Sequence, residues 1–228
     1  MKTTKIAGLD HVVAWDESEQ RHVYLDKADL VFKGNEVVHV GPGYDGSADV
    51  TIDGKGFMAI PGLVNVHSHP FSEPANKGLT EEYGSDKLGQ SSLYEYLTVY
   101  GLNPEDAGPS SLGAISELLK SGVTTITDLS MARPGWSDQL AATGIRAVVC
   151  PMMRQAVWYT KNGHTVEYAW DEKAGEKAFE ASMKTLDEAA KHPSGRISGM
   201  VGPAQIDTCG EGFFKEALQE AKRRGVPM

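Results

Sequence analysis

Ile60-Pro61-Gly62-Leu63-Val64-Asn65-Val66-His67-Ser68-His69-Pro70 decides how this chain is read. The apolar run up to Val66 has the composition of a buried strand. Successive strand side chains alternate faces, so His67 and His69 project together while Ser68 projects the other way. Two neutral imidazoles at the end of an apolar strand make half of a tetrahedral or five-coordinate site for a divalent metal. Pro70 then ends the strand, because proline has no N–H to give to a ladder.

The grammar changes on either side of this stretch. Before residue 60, short apolar or alternating runs (Val12 to Trp15, Ala28 to Phe32, Val37 to Gly41, Val50 to Ile52) are separated by turn residues. Gly34-Asn35, Gly41-Pro42-Gly43, Asp45-Gly46 and Asp53-Gly54 supply the punctuation, which predicts a small antiparallel sheet. After Pro61, buried apolar strands alternate with amphipathic helices, the pattern of parallel strands joined by crossovers. The strands are expected at Leu63 to Val66, Val123 to Leu129, Ile145 to Cys150 and Ile197 to Val201. Helical stripes run through Leu112, Ile115 and Leu119, ended by Gly122; through Ala174, Phe179, Met183, Leu186 and Ala190; and through Phe213, Ala217 and Ala221, ended by Gly225.

Further motifs accompany the histidines in order. Asp29-Leu30-Val31-Phe32-Lys33-Gly34-Asn35-Glu36-Val37-Val38-His39-Val40-Gly41, Ile52-Asp53-Gly54-Lys55-Gly56 and Pro61-Gly62-Leu63-Val64-Asn65 precede His67 and His69, and Ser121-Gly122-Val123-Thr124-Thr125-Ile126-Thr127-Asp128 follows. Together they resemble the N-terminal half of the amidohydrolase superfamily, in the branch of cytosine deaminase, the triazine hydrolases and the metal-dependent hydrolases of ureas and carbamates. The resemblance implies an α/β fold: a (β/α)8 TIM barrel, of which the first four βα units are present, with an N-terminal β-sandwich module. It divides the chain into residues 1–60, part of the small β-sandwich domain, and 61–228, the first half of the barrel.

The same resemblance implies a site completed by a histidine on a fifth strand, a histidine on a sixth and an aspartate on an eighth, with an acid/base glutamate near the fifth. A closed barrel takes ~250 residues, and the residues after 60 hold four strands; Val226-Pro227-Met228 reads as the entry into a fifth. The remaining ligands and the catalytic acid/base are therefore expected beyond Met228, in the missing C-terminal half, whether it belongs to the same or a separate chain. The visible chain alone is expected to be incomplete and inactive.

Within the chain, His67 and His69 are the expected metal ligands. Two-metal relatives often place a carboxylated lysine on the fourth strand, and Ile197 to Ile206 contains none, so one divalent ion is expected. Zinc is the default, with iron, cobalt and manganese also compatible with such ligands. Long connections follow the first and third strands, Phe71 to about Asn103 and Met152 to about Glu172. In a barrel they lie at the end where active sites are built. Arg154, Trp158 and Tyr159 in the second, with Tyr168 and Trp170, suggest a substrate wall.

After the fourth strand many deaminase and dechlorinase relatives carry Gly-Pro-His. This chain reads Gly202-Pro203-Ala204-Gln205-Ile206-Asp207, so a substrate-facing imidazole is lost. Gln205 and Asp207 are candidate replacements, Asp128 is a candidate to support a ligand, and Lys77 is a weak candidate for ordering the first long loop. His11, His22, His39, His164 and His192 are expected to be ordinary structural or exposed histidines.

The leading expectation is a metal-dependent hydrolase of a non-peptide C–N bond of amide, urea or carbamate type, acting on a small-molecule substrate. The alternatives are a deaminase or dehalogenase of a nitrogen heterocycle, and a non-catalytic oligomeric scaffold. A net charge of −9 without acidic or basic blocks argues against nucleic acid or an anionic membrane as partner. Cys150 and Cys209 form no disulfide framework. No window approaches a membrane span and the N-terminus has no signal-like apolar core. A cytoplasmic homo-oligomer is expected.

Overall fold

The computed structural model describes residues 1–76, 103–159, 161 and 166–228. Lys77, His164 and most of the first long connection lie outside the described residues. The chain divides into two compact units, Met1–Gly62 and Leu63–Met228.

The first unit is a five-stranded sheet built on a long hairpin of β1 (Thr3–Asp16) and β2 (Arg21–Lys33), paired from Thr3↔Lys33 to Asp16↔Arg21. β3 (Glu36–Gly41) follows antiparallel to β2 through the tight turn at Gly34-Asn35, the simplest outcome of so short a loop. β4 (Val50–Asp53) and β5 (Met58–Ala59) instead lie along β1 and run parallel to it. The sheet is therefore mixed, which corrects the expectation of an antiparallel module. Turn dipeptides mark where the chain bends but not how far it travels. Residues 42–49 carry it from the β3 edge to the opposite edge, and a strand entered after such a crossing keeps the direction of β1.

One sheet is present in this unit among the described residues, with Leu9, Val12 and Ala28 buried on it. The register of β1 slips between Ile6 and Leu9, where Gly8 takes φ +67°. The Asp29 carboxylate fills the slip. It accepts from the Gly8 N–H at 2.8 Å and the Tyr44 N–H at 2.9 Å, and pairs with Lys5 Nζ at 2.8 Å.

The second unit is a parallel sheet with helices in the crossovers. β6 (Leu63–Ser68), β7 (Val123–Ser130), β8 (Arg146–Met153) and β11 (Ile197–Gly199) lie in the order β11-β8-β7-β6. β12 (Gly202–Pro203) continues the last strand against β8. A short α1 (Glu73–Asn76) follows β6, α2 (Ala107–Lys120) leads into β7, α3 (Trp136–Ala142) connects β7 to β8, and α4 (Glu172–Ala190) returns the chain to β11. α5 (Glu211–Arg224) comes last.

Helix ends follow from local chemistry. Asp171 caps α4 by accepting from the Ala174 N–H at 2.9 Å, and Gly225 closes α5 at φ +66° after the basic run Lys222-Arg223-Arg224. Ile115, Ile126, Leu140, Val149 and Leu186 meet in one core, and an edge-to-face contact of Phe179 with Phe213 at 5.4 Å joins α4 to α5. β6, expected to be buried, is instead an edge strand among the described residues, and without a neighbour on that side Leu63, Val64 and Val66 are exposed, Val66 at 74%.

Two elements differ from expectation. α3, at seven residues, is too short to show a helical stripe in sequence. The connection after β8 holds a hairpin of β9 (Ala156–Tyr159) and β10 (Glu167–Trp170), whose aromatic residues read as a wall rather than as strands. Past α5, the Val201 N–H reaches the Pro227 carbonyl at 2.9 Å, so the chain comes back alongside the end of β11.

Candidate metal centre

The C-terminal end of β6 brings the two histidines together. Their Nε2 atoms are 3.1 Å apart and their rings meet edge to face at 5.0 Å between centroids. Ser68 between them is buried, as strand alternation requires, and its hydroxyl donates to the Thr127 carbonyl at 2.7 Å. His69 Nδ1 donates to the Leu129 carbonyl at 2.8 Å. A carbonyl oxygen only accepts, so the proton of the neutral ring sits on Nδ1 and the lone pair on Nε2 faces His67.

The donor set suits a divalent ion. Two nitrogens each bound to one zinc at ~2.0–2.1 Å with a tetrahedral angle stand ~3.3 Å apart, close to the observed gap. Among the described residues no group of three or more His, Cys, Asp or Glu side chains gathers to hold an ion.

Behind the pair lies a polar cluster inside the core. Asp128, on β7, is fully buried; the Ser130 hydroxyl donates to one of its oxygens and the Trp136 indole N–H to the other, the latter at 2.8 Å. Burial pushes the Asp128 carboxyl above the ordinary carboxylate range, while those two donors and the charge of Arg133 pull against it. The Arg133 guanidinium stacks on the Trp136 ring at 4.7 Å, and its Nη2 reaches Ser111 Oγ at 3.1 Å. Ser130, Arg133 and Trp136 were not anticipated from the sequence. A signal was available: Asp128 and Ser130, two apart, put two polar groups on the same face of one strand.

The remaining candidates fall at the ends of β8 and β12. Arg154 follows β8 directly, is half-buried, and makes no hydrogen bond or ion pair among the described residues. The loop after β12 is tied to this place: the Ala204 N–H reaches the Met153 carbonyl at 2.9 Å, and the Gln155 and Ala156 N–H groups both reach the Thr208 carbonyl. Asp207 accepts from the Trp158 indole at 3.0 Å and the Tyr168 hydroxyl at 2.9 Å, which latches the β9–β10 hairpin to the loop. Gln205 accepts from the Thr208 hydroxyl at 3.0 Å. Tyr159 donates to Glu167 at 2.7 Å, across the hairpin. Trp158, Tyr159, Gln205 and Asp207 thus spend polar groups on protein partners. Of the other histidines, His11 pairs with Asp26, His22 packs on Trp15, His39 bonds the Gly41 carbonyl and His192 bonds Ser194 and Asp138.

Comparison with known proteins bears on the family and the fold. The model of the amidohydrolase family matches residues 58–228. The chain is 28% identical over 204 residues to the 5'-deoxyadenosine deaminase of Methanosarcina acetivorans, and 29% identical over 209 residues to the 5-methylthioadenosine/S-adenosylhomocysteine deaminase of Caldanaerobacter subterraneus subsp. tengcongensis. Each alignment covers 89% of this chain and 43% of the relative, so the chain spans less than half the length of these curated relatives. Among solved structures, the atrazine chlorohydrolase of Arthrobacter aurescens TC1, complexed with zinc, superposes with a TM-score of 0.74 at 20% identity, covering 98% of this chain and 51% of that one. With three quarters of its length matched by the family model and its histidine pair at the end of the first parallel strand, this chain belongs to the amidohydrolase family.

Proposed function

We propose that this chain is part of a metal-dependent hydrolase that cleaves a non-peptide C–N bond of a small molecule, with deamination of an amino-substituted nitrogen heterocycle as the first reaction to test. The observation that carries the reading is the 3.1 Å approach of His67 Nε2 to His69 Nε2. The names of the deaminase relatives favour the heterocycle over the amide, urea or carbamate that the sequence put first. The same reading takes His67 and His69 as ligands of one zinc ion, and the parallel sheet as the first four strands of a (β/α)8 barrel. Further strands, from the same or a separate chain, would bring the other ligands, in a cytoplasmic homo-oligomer.

When bound, such an ion supplies a nucleophile at neutral pH by lowering the pKa of its water from ~15.7 towards ~7. The chain's own residues hold and orient. His69 is fixed by Leu129, and Arg154 offers a cation to an anionic or carbonyl group of the substrate. Gln205, beside Ala204, keeps its amide nitrogen as a donor in place of the histidine that relatives carry there.

The test is ammonia release by the zinc-loaded full-length protein from 5'-deoxyadenosine, 5-methylthioadenosine and aminotriazines, set against hydrolysis of amides, ureas and carbamates. Ammonia release that disappears in His67→Ala supports the reading. Turnover of amides or carbamates alone restores the original order, and a protein with no stoichiometric metal and no turnover is the scaffold.

A further inference from the structure

The clamp around Asp128 has no direct part in holding an ion, yet its placement bears on the histidine pair. The Thr127 and Leu129 carbonyls, two residues apart on β7, both turn towards β6 and receive the Ser68 hydroxyl and the His69 imidazole. Pairing between β6 and β7 is irregular just there, with a register break between Asn65 and Ser68. The ladder to β8 is regular through Leu129↔Cys150, but on the β6 side the ladder alone does not determine how the Leu129 carbonyl meets His69. The two residues flanking Leu129 are the ones held from behind: Asp128 and Ser130 are fully buried, joined to each other, and Asp128 is anchored to Trp136 on α3. Trp136 is itself 1% exposed, with the Arg133 guanidinium packed on its ring.

We propose that Trp136 is a positioning residue for the histidine pair: its indole N–H, with the Ser130 hydroxyl, clamps the Asp128 carboxylate and so fixes the Leu129 carbonyl that orients His69. The inference rests on the reading of His67 and His69 as metal ligands. Through this chain of contacts the N-terminus of α3 sets the direction of a lone pair on β6. An outer partner of a ligating histidine fixes both its tautomer and its ring angle, and losing such a partner costs ~10–100-fold in metal affinity. Trp136 acts one link further back, so the lower end of that range applies.

The test is metal binding by the full-length protein, with zinc affinity measured by chelator competition and site geometry by the visible spectrum of the cobalt(II)-substituted form. Trp136→Phe keeps the ring and removes the donor. The expected result is full stoichiometry, zinc affinity about tenfold weaker and an altered cobalt spectrum. A role in stability alone would lower the melting temperature of the apoprotein but leave the cobalt spectrum superimposable on wild type. That outcome, with affinity within threefold, overturns the proposal. Asp128→Asn and Ser130→Ala are read by the same two measurements and decide the matter if Trp136→Phe does not fold. His67→Ala separates the failures: if it binds zinc as wild type does, the ligand reading itself is wrong, whereas loss of zinc there with no effect in the clamp variants rejects the clamp alone.

Discussion

His69 Nδ1 and the Leu129 carbonyl oxygen stand 2.8 Å apart, joining residues sixty positions apart in the chain. The bond spends the ring's one proton on the backbone of β7 and leaves Nε2 as a bare acceptor beside His67. On the proposed reading, in which both rings hold one zinc ion, replacing either histidine by alanine removes a ligand outright. We expect zinc affinity to fall by more than the ~100-fold upper bound for losing an outer partner, in both variants, as measured by chelator competition. Unchanged affinity in either one would remove that residue from the site.

Asp29 predicts an acid response in the first unit. The Lys5 ammonium and the Tyr44 and Gly8 amides hold its carboxyl down at about 2, against an ordinary 3.8. The unfolded chain then takes up the proton at higher pH than the folded one, so stability rises with pH across this interval. The contribution, about 2 kcal/mol at 1.36 kcal/mol per pKa unit, is complete above pH ~4 and lost as the pH falls to ~2. In Asp29→Asn this pH dependence should be missing. Amide exchange at Gly8 and Tyr44 reports it locally, and equal exchange in the two proteins at pH 6 would contradict the assignment.

The cysteines should be silent. Cys150 lies within β8, where burial pushes its thiol up to about 11, and Cys209 is buried with Sγ 3.6 Å from the Met153 carbonyl. At pH 8 only about one Cys150 thiol in a thousand is ionised, and the thiolate is the reactive form. A thiol-specific disulfide reagent should label neither residue in the native protein and both after denaturation. Fast native labelling of one would show that its cover opens readily.

The parts of this fold legible in the sequence are those that local periodicity writes. The i, i+2 spacing of His67 and His69 sets two rings on one face of β6 whatever lies around it, and Gly225 ends α5 because a left-handed residue closes a helix cheaply there. The contacts that tertiary folding makes were not legible. Trp136 finds Asp128 only once α3 packs against β8, and Asp207 meets Trp158 across forty-nine residues. Side chains such as Trp158, Tyr168 and Asp207 look free to meet a substrate when read along the chain, whereas in the fold they bind one another. The direction of β4 was lost for a related reason, since a turn signal records a bend and not the strand that receives the chain.

Arg154 differs from those residues in lacking any hydrogen bond or ion pair among the described residues, although it is half-buried at the end of β8. Burial lowers its pKa from the usual value, yet a guanidinium keeps its charge in a protein. A half-buried cation with no carboxylate partner among the described residues is costly to the folded chain, and in the proposed role an anionic or carbonyl group on the substrate would offset that cost. Arg154→Met, which keeps much of the apolar stem, should therefore hold or raise the melting temperature and leave zinc content unchanged. It should also raise KM for a substrate bearing a carboxylate by about 10–100-fold, the ~1.5–3 kcal/mol of a charge-assisted hydrogen bond. A substrate without such a group should lose much less. Steady-state kinetics on a matched pair of substrates, one with the carboxylate and one without, makes the distinction: equal losses on both would place Arg154 in the scaffold of the β8 end instead of in substrate recognition.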